Sequence, residues 1–409
     1  MAEQKPFLPK ADWATANVEP SPSRRGQKIV LFSYLLSQGG TDRVAAILAR
    51  GYAEAGFDVE LLVLCCGGEA QPLLLNMSGP VVAVRYIGRA SRWRTFDLLR
   101  LFPLIVRHLR LAAPDVLIST ANNTAWICTA ALKLAKLHKT RLVLKTTNPI
   151  VGSRHRGPIQ KVRHWGYRLA FSSATAVWAL SDAETALLRI AYPDSASRIR
   201  TVINPYVTNT MLAATDTKTK AASSKLVLGV GRLSKQKRFD LLIRAFALIE
   251  HRNAKLIILG DGAERSKLLK LIGALGLSDR VTLLGFVTDV AERYRDADLF
   301  VLTSIYEGLP AVVLEAMAAN CPVLSTDCFA AARSLLETAE GCGIVEPAEP
   351  TELARMIDES LNCKRPTSVR AIALGNSVQS GISDHIGALS EILLRDLQGR
   401  LSLERCVHK

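Results

Sequence analysis

E-G-L-P-A-V-V-L-E, residues 307 to 315, sets two carboxylates, Glu307 and Glu315, on either side of a loop-to-helix junction. It follows D-L-F-V-L-T-S (298 to 304), a nearly continuous apolar run of the kind buried on both faces of a parallel sheet. Pro310 suits the first turn of a helix, where its missing N–H is no loss, and A-V-V-L-E-A-M-A (311 to 318) continues as an apolar helix. This order predicts Glu307 in the loop at the carboxyl end of a strand and Glu315 in the opening helical turns. Open α/β sheets bind ligands in that place, and helix N-termini there offer N–H groups to phosphate. A glutamate near a helix start can equally be no more than a partner for the helix dipole, so its surroundings decide.

Upstream stands L-V-L-G-V-G-R-L-S-K-Q-K-R-F-D-L-L-I-R-A-F (226 to 246), which reads as a strand, a Gly-flanked turn with four Lys or Arg in seven residues, and an amphipathic helix. A basic turn at the mouth of a parallel sheet can hold a pyrophosphate: Arg232 can bridge two phosphate oxygens and Lys237 supplies a point charge. Between the two motifs lie K-L-I-I-L-G-D-G-A-E (255 to 264) and R-V-T-L-L-G-F-V-T-D (280 to 289), each again a strand ending in glycine. Four strand-loop-helix units thus open on one face.

Taken together, G-R-L-S-K-Q-K, G-D-G at 260 to 262, L-G-F at 284 to 286, the Glu307/Glu315 pair and E-A-M-A-A-N-C-P-V-L-S-T-D (315 to 327) occur in a fixed order. In that order they resemble the nucleotide-sugar domain of the family 4, or group 1, retaining glycosyltransferases of the GT-B fold. The resemblance implies an α/β chain of two Rossmann-like domains whose parallel sheets face a cleft. It implies that Arg232 and Lys237 hold the donor diphosphate, that Glu315 bonds the ribose, and that Glu307 addresses the sugar with the backbone after Gly308, at Leu309 and Pro310. Gly231, Gly260 and Phe286 complete the implied donor set, and Arg232, Lys237 and Glu307 are the implied catalytic groups. Two departures stand out. Asn320 occupies a position where the family usually has glycine, and F-A-A-A-R-S-L-L (329 to 336) replaces a small-residue turn followed by Pro and Glu.

The first half fits the same fold more loosely. K-I-V-L-F-S (28 to 33) reads as a first strand, S-Q-G-G-T-D-R-V (37 to 44) as a glycine turn opening a helix, and D-V-E-L-L-V-L (58 to 64) as a second strand. Gly39 and Gly40 can form a phosphate cradle, though most such pairs are only turns; in the resembled family this loop abuts the donor phosphates. V-L-I-S-T-A-N-N-T-A (116 to 125) and L-V-L-K-T-T-N-P (142 to 149) are strand-to-loop transitions. They make Asn122, Asn123, Lys145 and Asn148 acceptor-binding candidates, with turn formation the plainer reading of each Asn.

At 409 residues the chain exceeds the usual size of a single core. The expected division is a polar lead-in at 1–27, an acceptor-binding domain at 28–205, a nucleotide-sugar domain at 206–380, and a C-terminal helix at 381–409 that, by family analogy, crosses back to the first domain.

Charge bears on location. Residues 81–170 hold 17 Lys or Arg against Asp97 and Asp115, a net of +15, and the whole chain is also +15, so everything else sums to zero. Trp93, Phe96, Trp165 and Tyr167 are interleaved with these cations. A solvated helix face explains scattered charge, but not one sign confined to one region. Basic amphipathic segments with aromatics suit an anionic bilayer surface, where each cation adds about 1 kcal/mol. Arg154, Arg156, Lys161, Arg163 and Trp165 are the expected membrane contacts. Nucleic acid is a poorer fit, because no helix-turn-helix spacing, zinc knuckle or RRM-type motif is present. No apolar run approaches the ~18 residues of a spanning helix and no signal peptide is evident, so the expectation is a cytoplasmic protein peripheral on the inner face of the membrane.

The eight cysteines show no C-x-x-C or Cys/His ligand spacing, and R-D-A-D (295 to 298), with Asp296 and Asp298, matches a metal-binding D-x-D only superficially because Asp298 leads straight into a strand, so no metal and no cofactor are expected. The function expected is transfer of a hexosyl or N-acetylhexosaminyl group from a nucleoside-diphosphate sugar, with UDP the favoured nucleotide, to a lipid-linked glycan in surface polysaccharide assembly. The rivals are a non-catalytic nucleotide- or nucleic-acid-binding protein on the same scaffold and a sugar-nucleotide epimerase.

Overall fold

The structure is a computed structural model and describes residues 24, 26–36, 39–66, 82–91, 93–152, 158–213, 224–287, 290–346, 348–363 and 369–407. The lead-in before residue 24 and the candidates Arg154 and Arg156 lie outside these residues. The chain divides into two compact units: residues 206 to 377 form one, and the segment ending at Pro205 forms the other together with everything from Val378 onward.

The unit ending at Pro205 is built on a seven-stranded sheet. Its strands are β1 (Lys28–Ser33), β2 (Asp58–Cys66), β3 (Ala83–Arg89), β4 (Val116–Ser119), β5 (Arg141–Lys145), β6 (Ala176–Ala179) and β7 (Ile199–Thr201). They pair in parallel in the order β3-β2-β1-β4-β5-β6-β7. Parallel neighbours need crossovers, and the intervening helices supply them. The strand order reverses between β1 and β4, the kind of switch point where loops part to admit ligands. One core packs Val30, Phe32, Leu62, Leu117, Leu142 and Leu144 against Ile105, Leu109, Cys128 and Phe171 from the helices.

The apolar stretch expected as a helix at 382–397 is part of a longer helix, Val378–Val407, grouped with this unit. Two glycines let it sit close. A Cβ on Gly381 would stand 2.5 Å from the Pro205 nitrogen, and one on Gly51, in the helix Gly40–Glu54, would stand 2.7 Å from the Ile382 side chain.

The second unit carries β8 (Leu226–Val230), β9 (Lys255–Leu259), β10 (Val281–Gly285), β11 (Leu299–Leu302), β12 (Val323–Thr326) and β13 (Gly343–Val345). These too are parallel, in the order β10-β9-β8-β11-β12-β13, with the switch point between β8 and β11. All four residues of β11 are buried, as the apolar run demands, although the strand is shorter than 298–304. The helix Phe239–Leu248 packs tightly on β8 because Gly229 has no Cβ; one there would meet the Phe239 ring at 3.0 Å. The helix Pro350–Asn362 turns Leu353, Ala354, Ile357 and Leu361 inward, spacings that fall on one helical stripe.

Candidate active site

The loops after β8, β9, β10 and β11 converge in the second unit because each leaves the carboxyl end of a strand in one parallel sheet. Backbone bonds zip three of them together: Gly231 N donates to Leu259 O at 2.9 Å, Gly260 N to Gly285 O at 2.7 Å, and Leu233 N to Asp261 O at 2.9 Å. The approach is as close as glycine permits. A Cβ on Gly260, which sits at φ 126°, would lie 2.0 Å from Gly231 O, and one on Gly262 would lie 2.4 Å from Leu233 O. The glycines at 231, 260 and 262 are therefore the means by which the basic turn is laid against the next strand's loop.

The fourth loop is tied to the first. Ile305 N donates to Gln236 O at 2.8 Å, Gln236 Nε2 to Tyr306 O at 2.8 Å, and Thr303 Oγ1 to Lys237 O at 2.9 Å. These bonds bring Lys237 Nζ to 2.7 Å from Glu307 Oε1, with the two side chains 16% and 12% exposed. Glu307 is fixed from behind by its own N–H, which donates to Cys328 O at 2.7 Å. Burial raises the Cys328 thiol to about 11, and the neighbouring Glu307 charge adds to that, so Cys328 is a neutral wall residue. Arg232 projects into solvent from the same turn. Among the described residues the Arg232 guanidinium has no ion-pair partner, whereas Lys237 is already engaged by a carboxylate.

Glu315 lies in the helix Ala311–Ala318 and is 4% exposed, accepting from the Tyr294 hydroxyl at 3.1 Å. Tyr294 itself is fully buried, edge-on to Phe300 with ring centroids 5.6 Å apart. Pro310 is placed differently from expectation. It caps the helix from outside, with ψ 113°, because a residue that starts a helix from an extended approach has no use for its own N–H. Gly308 and Leu309 are half-buried beside Glu307, and Phe286, just past β10, is exposed. Asn320 sits at φ 52°, the left-handed region that asparagine tolerates, and its Oδ1 accepts from Arg370 N at 2.9 Å. The departure from glycine is thus accommodated and put to structural use.

In the other unit, Gly39 caps the helix Gly40–Glu54, with Asp42 N and Arg43 N donating to its carbonyl. Neither glycine is demanded by the backbone here: Gly39 has φ −75°, and a Cβ on Gly40 would meet nothing within 4 Å. Asn122 is a loop staple, a role neither the acceptor reading nor the turn reading named. Its Nδ2 donates to Asn148 O at 2.6 Å and its Oδ1 accepts from Thr147 N at 2.7 Å, joining the loops after β4 and β5. Asn123 has a buried Oδ1 without a protein partner among the described residues, and Asn148 is exposed.

Lys145, an acceptor-binding candidate in the sequence, does not project from a loop. It ends β5 on the face opposite Leu142 and Leu144, and is buried there beside Asn204 and His385. On the helix Pro158–Ser173, Val162 is 69% and Trp165 64% exposed, and Leu169 is exposed as well, an apolar stripe flanked by the exposed Lys161 and Arg168. Arg163 is half-buried.

Among the described residues no three His, Cys, Asp or Glu side chains gather where they could hold a metal ion. Asp298 is used structurally, accepting from Leu226 N at 2.8 Å at the start of β8. What sequence reading missed are the partners: Tyr294 for Glu315, and the direct meeting of Lys237 with Glu307. Neither spacing, 21 or 70 residues, follows a local period, so only the sheet order could have suggested them.

Comparison with known proteins gives two family matches. The description "Glycosyl transferases group 1" matches residues 214–375, and "Glycosyl transferase 4-like domain" matches residues 39–205. The chain is 27% identical over 329 residues to the N-acetylgalactosamine-N,N'-diacetylbacillosaminyl-diphospho-undecaprenol 4-alpha-N-acetylgalactosaminyltransferase of Campylobacter jejuni, covering 76% of this chain and 83% of that one. It is 28% identical to the amylovoran biosynthesis glycosyltransferase AmsD of Erwinia amylovora, covering 73% of this chain and 80% of that protein. Among solved structures it resembles Anabaena HepE in complex with UDP and glucose, with a TM-score of 0.68 at 20% identity, covering 91% of this chain and all of that one.

Proposed function

Because the chain belongs to the group 1, family 4 glycosyltransferases of the GT-B fold, we propose that it moves a hexosyl or N-acetylhexosaminyl group from a UDP-sugar to a lipid-linked glycan in the assembly of a surface polysaccharide, with retention of anomeric configuration. The observation that carries this reading is the Lys237–Glu307 pair, which stands with Arg232 where β8 and β11 part. Breaking a glycosyl-phosphate bond develops negative charge on the diphosphate and positive charge on the sugar ring. Fixed cations near the first are the main catalytic need. Arg232 and Lys237 answer it, Glu307 reaches the sugar hydroxyls, and Glu315, held by Tyr294, accepts from the ribose. The acceptor attacks from the face the diphosphate leaves, and a donor phosphate oxygen takes its proton. Asn123 and Asn148 contact the acceptor.

The proposed reaction uses no metal, since protein cations and N–H groups neutralise the leaving group. UDP is expected to raise the melting temperature more than GDP or ADP at equal concentration, and transfer is expected to persist in excess EDTA. A larger shift with GDP or ADP would reassign the donor, and complete loss in EDTA restored by manganese would reopen Asp296 and Asp298 as ligands. The relatives that inform the acceptor are the Campylobacter enzyme, whose name specifies a diphospho-undecaprenol-linked substrate, and AmsD, named for amylovoran biosynthesis.

The acceptor's lipid anchor places the protein on the inner face of the cell membrane. No helix among the described residues is long and apolar enough to cross it. The stripe Val162, Trp165 and Leu169, among cations that lack acidic neighbours in the sequence, suits an anionic surface. The protein is expected to sediment with phosphatidylglycerol-containing vesicles at low salt and to be released at high salt, as the Debye length shortens. Changing Arg154, Arg156, Lys161 and Arg163 together to Ser is expected to cut sedimentation while UDP binding is unchanged, because Arg232, Lys237, Glu307 and Glu315 belong to the other unit. Unaltered vesicle binding by that variant would remove these residues from the membrane contact.

A further inference from the structure

The amine of Lys145 is buried in a chain of four hydrogen-bonded side chains drawn from four parts of the first unit. Nζ lies 2.6 Å from Asn204 Oδ1 and 3.2 Å from His385 Nε2, and His385 Nδ1 lies 2.9 Å from the Tyr52 hydroxyl. Trp178, the parallel-strand partner of Lys145, closes the site edge-on to His385 with ring centroids 5.0 Å apart. Among the described residues no carboxylate pairs with Lys145, which leaves the amine with two acceptors, Asn204 Oδ1 and, in the tautomer that carries its proton on Nδ1, His385 Nε2. Two acceptors match the two hydrogens of a neutral amine, while an ammonium would keep a third N–H unsatisfied in an apolar site.

The residues joined are the ones through which the chain leaves and re-enters the unit. Asn204 immediately precedes Pro205, the last residue before the second unit, and His385 lies in the first turns of the helix Val378–Val407, where the chain returns. Asp384 reinforces the junction by accepting from Ile203 N at 2.7 Å, and Gly381 lets the helix touch Pro205. We propose that Lys145 is a positioning residue, a proton-operated latch whose neutral amine holds the linker Val202–Pro205 and the start of the C-terminal helix on the first unit, and whose charging loosens both.

Burial alone lowers the Lys145 amine from its usual 10.5 to about 7, and burial with the neighbouring lysine keeps His385 neutral. The other ionisable groups nearby are accounted for. Burial raises Tyr52, so it stays a neutral phenol; Asp384 is engaged by the linker N–H; and Glu184 is engaged by Thr146 and Leu180 N. The sign follows from the lowered amine. Below about pH 7 both the latched and the released amine are charged and the penalty of burying that charge is complete. Between about 7 and 10.5 only the released form binds the proton, so latching strengthens by roughly tenfold per pH unit.

Hydrogen exchange of the full chain tests this without reference to catalysis. Protection factors, corrected for intrinsic exchange, are expected to rise about tenfold or more in 202–205 and 378–390 between pH 6.5 and 8.5 in the native protein. That rise is expected to vanish in Lys145→Met, which has no proton to bind, and in Asn204→Asp, which supplies a counter-charge and holds the amine protonated throughout. No rise in the native protein, or the same rise in the variants, overturns the latch. If Lys145→Met does not fold, the native protein and Asn204→Asp decide it alone. Loss of glycosyl transfer as a function would leave these exchange results unchanged.

Discussion

Lys237→Ala is expected to lower turnover by on the order of a hundredfold to a thousandfold, the range that follows loss of one preorganised partner of transition-state charge. Two effects act together in this variant. The positive charge proposed to meet the departing diphosphate is gone, and Glu307, only 12% exposed and 2.7 Å from Nζ, is left as a carboxylate without that cation. An unpaired carboxylate beside a gathering diphosphate charge adds repulsion to the loss of attraction. Arg232→Ala removes attraction alone and is expected to cost about a hundredfold.

The pairing predicts strong non-additivity. Glu307→Gln in the Lys237→Ala background also removes the stray charge, so it is expected to slow that variant by less than it slows the native protein. Independent roles would instead multiply the two single losses. Initial rates at saturating and limiting donor check this, since an interaction made only in the transition state lowers kcat and kcat/KM equally. Turnover within a few-fold of native in Lys237→Ala would sink the assignment.

Glu315 is expected to behave differently. Its buried position against Tyr294 makes it a fixed acceptor rather than a mobile one. Glu315→Gln should therefore weaken UDP binding in titration calorimetry more than it slows the bound complex.

The strands of the second unit were readable because each is a short apolar run closed by glycine or a polar turn. A parallel sheet then forces the four intervening loops to one edge. Arg232, Lys237, Gly260 and Glu307 could therefore be grouped before any coordinates. Side-chain direction was the illegible part. Lys145 ends a five-residue strand whose alternate residues Leu142 and Leu144 enter one core, so pleat parity sends its side chain to the opposite face, where the helices Gly40–Glu54 and Val378–Val407 contribute Tyr52 and His385. Nothing local tells whether that face is wet, since its cover arrives 240 residues later in the chain. Asn122 shows the same limit, because an Asn beside a turn is visible but its reach to the next loop is not. Pro310 shows a smaller one: a proline before a helix marks the boundary to within a residue, and the cap position is set by the approach of the preceding loop.

Two glycine replacements are expected to part in opposite directions. Gly260→Ala puts a Cβ 2.0 Å from Gly231 O and 2.9 Å from Gly231 C, backbone atoms that cannot swing aside, at a φ of 126° that an alanine resists. Strain at such a dihedral costs about 1–3 kcal/mol and overpacking about as much again. At roughly 2–4 °C per kcal/mol for a unit of this size, the second unit's melting transition is expected to fall by about 10 °C. UDP binding should fall with it, because the shift is delivered through Gly231 to the turn that carries Arg232 and Lys237. Gly40→Ala places its Cβ where no atom lies within 4 Å, at the start of a helix in which alanine is favoured by about 0.5–1 kcal/mol. Its melting temperature should hold or rise slightly, since the extra methyl meets no protein atom. Differential scanning calorimetry and UDP-sugar titration on both variants separate the two glycines. A Gly260→Ala protein that melts within 2 °C of native would refute the steric account, and a Gly40→Ala protein that melts as far below native as Gly260→Ala would show that the open space beside Gly40 is not tolerant of a methyl.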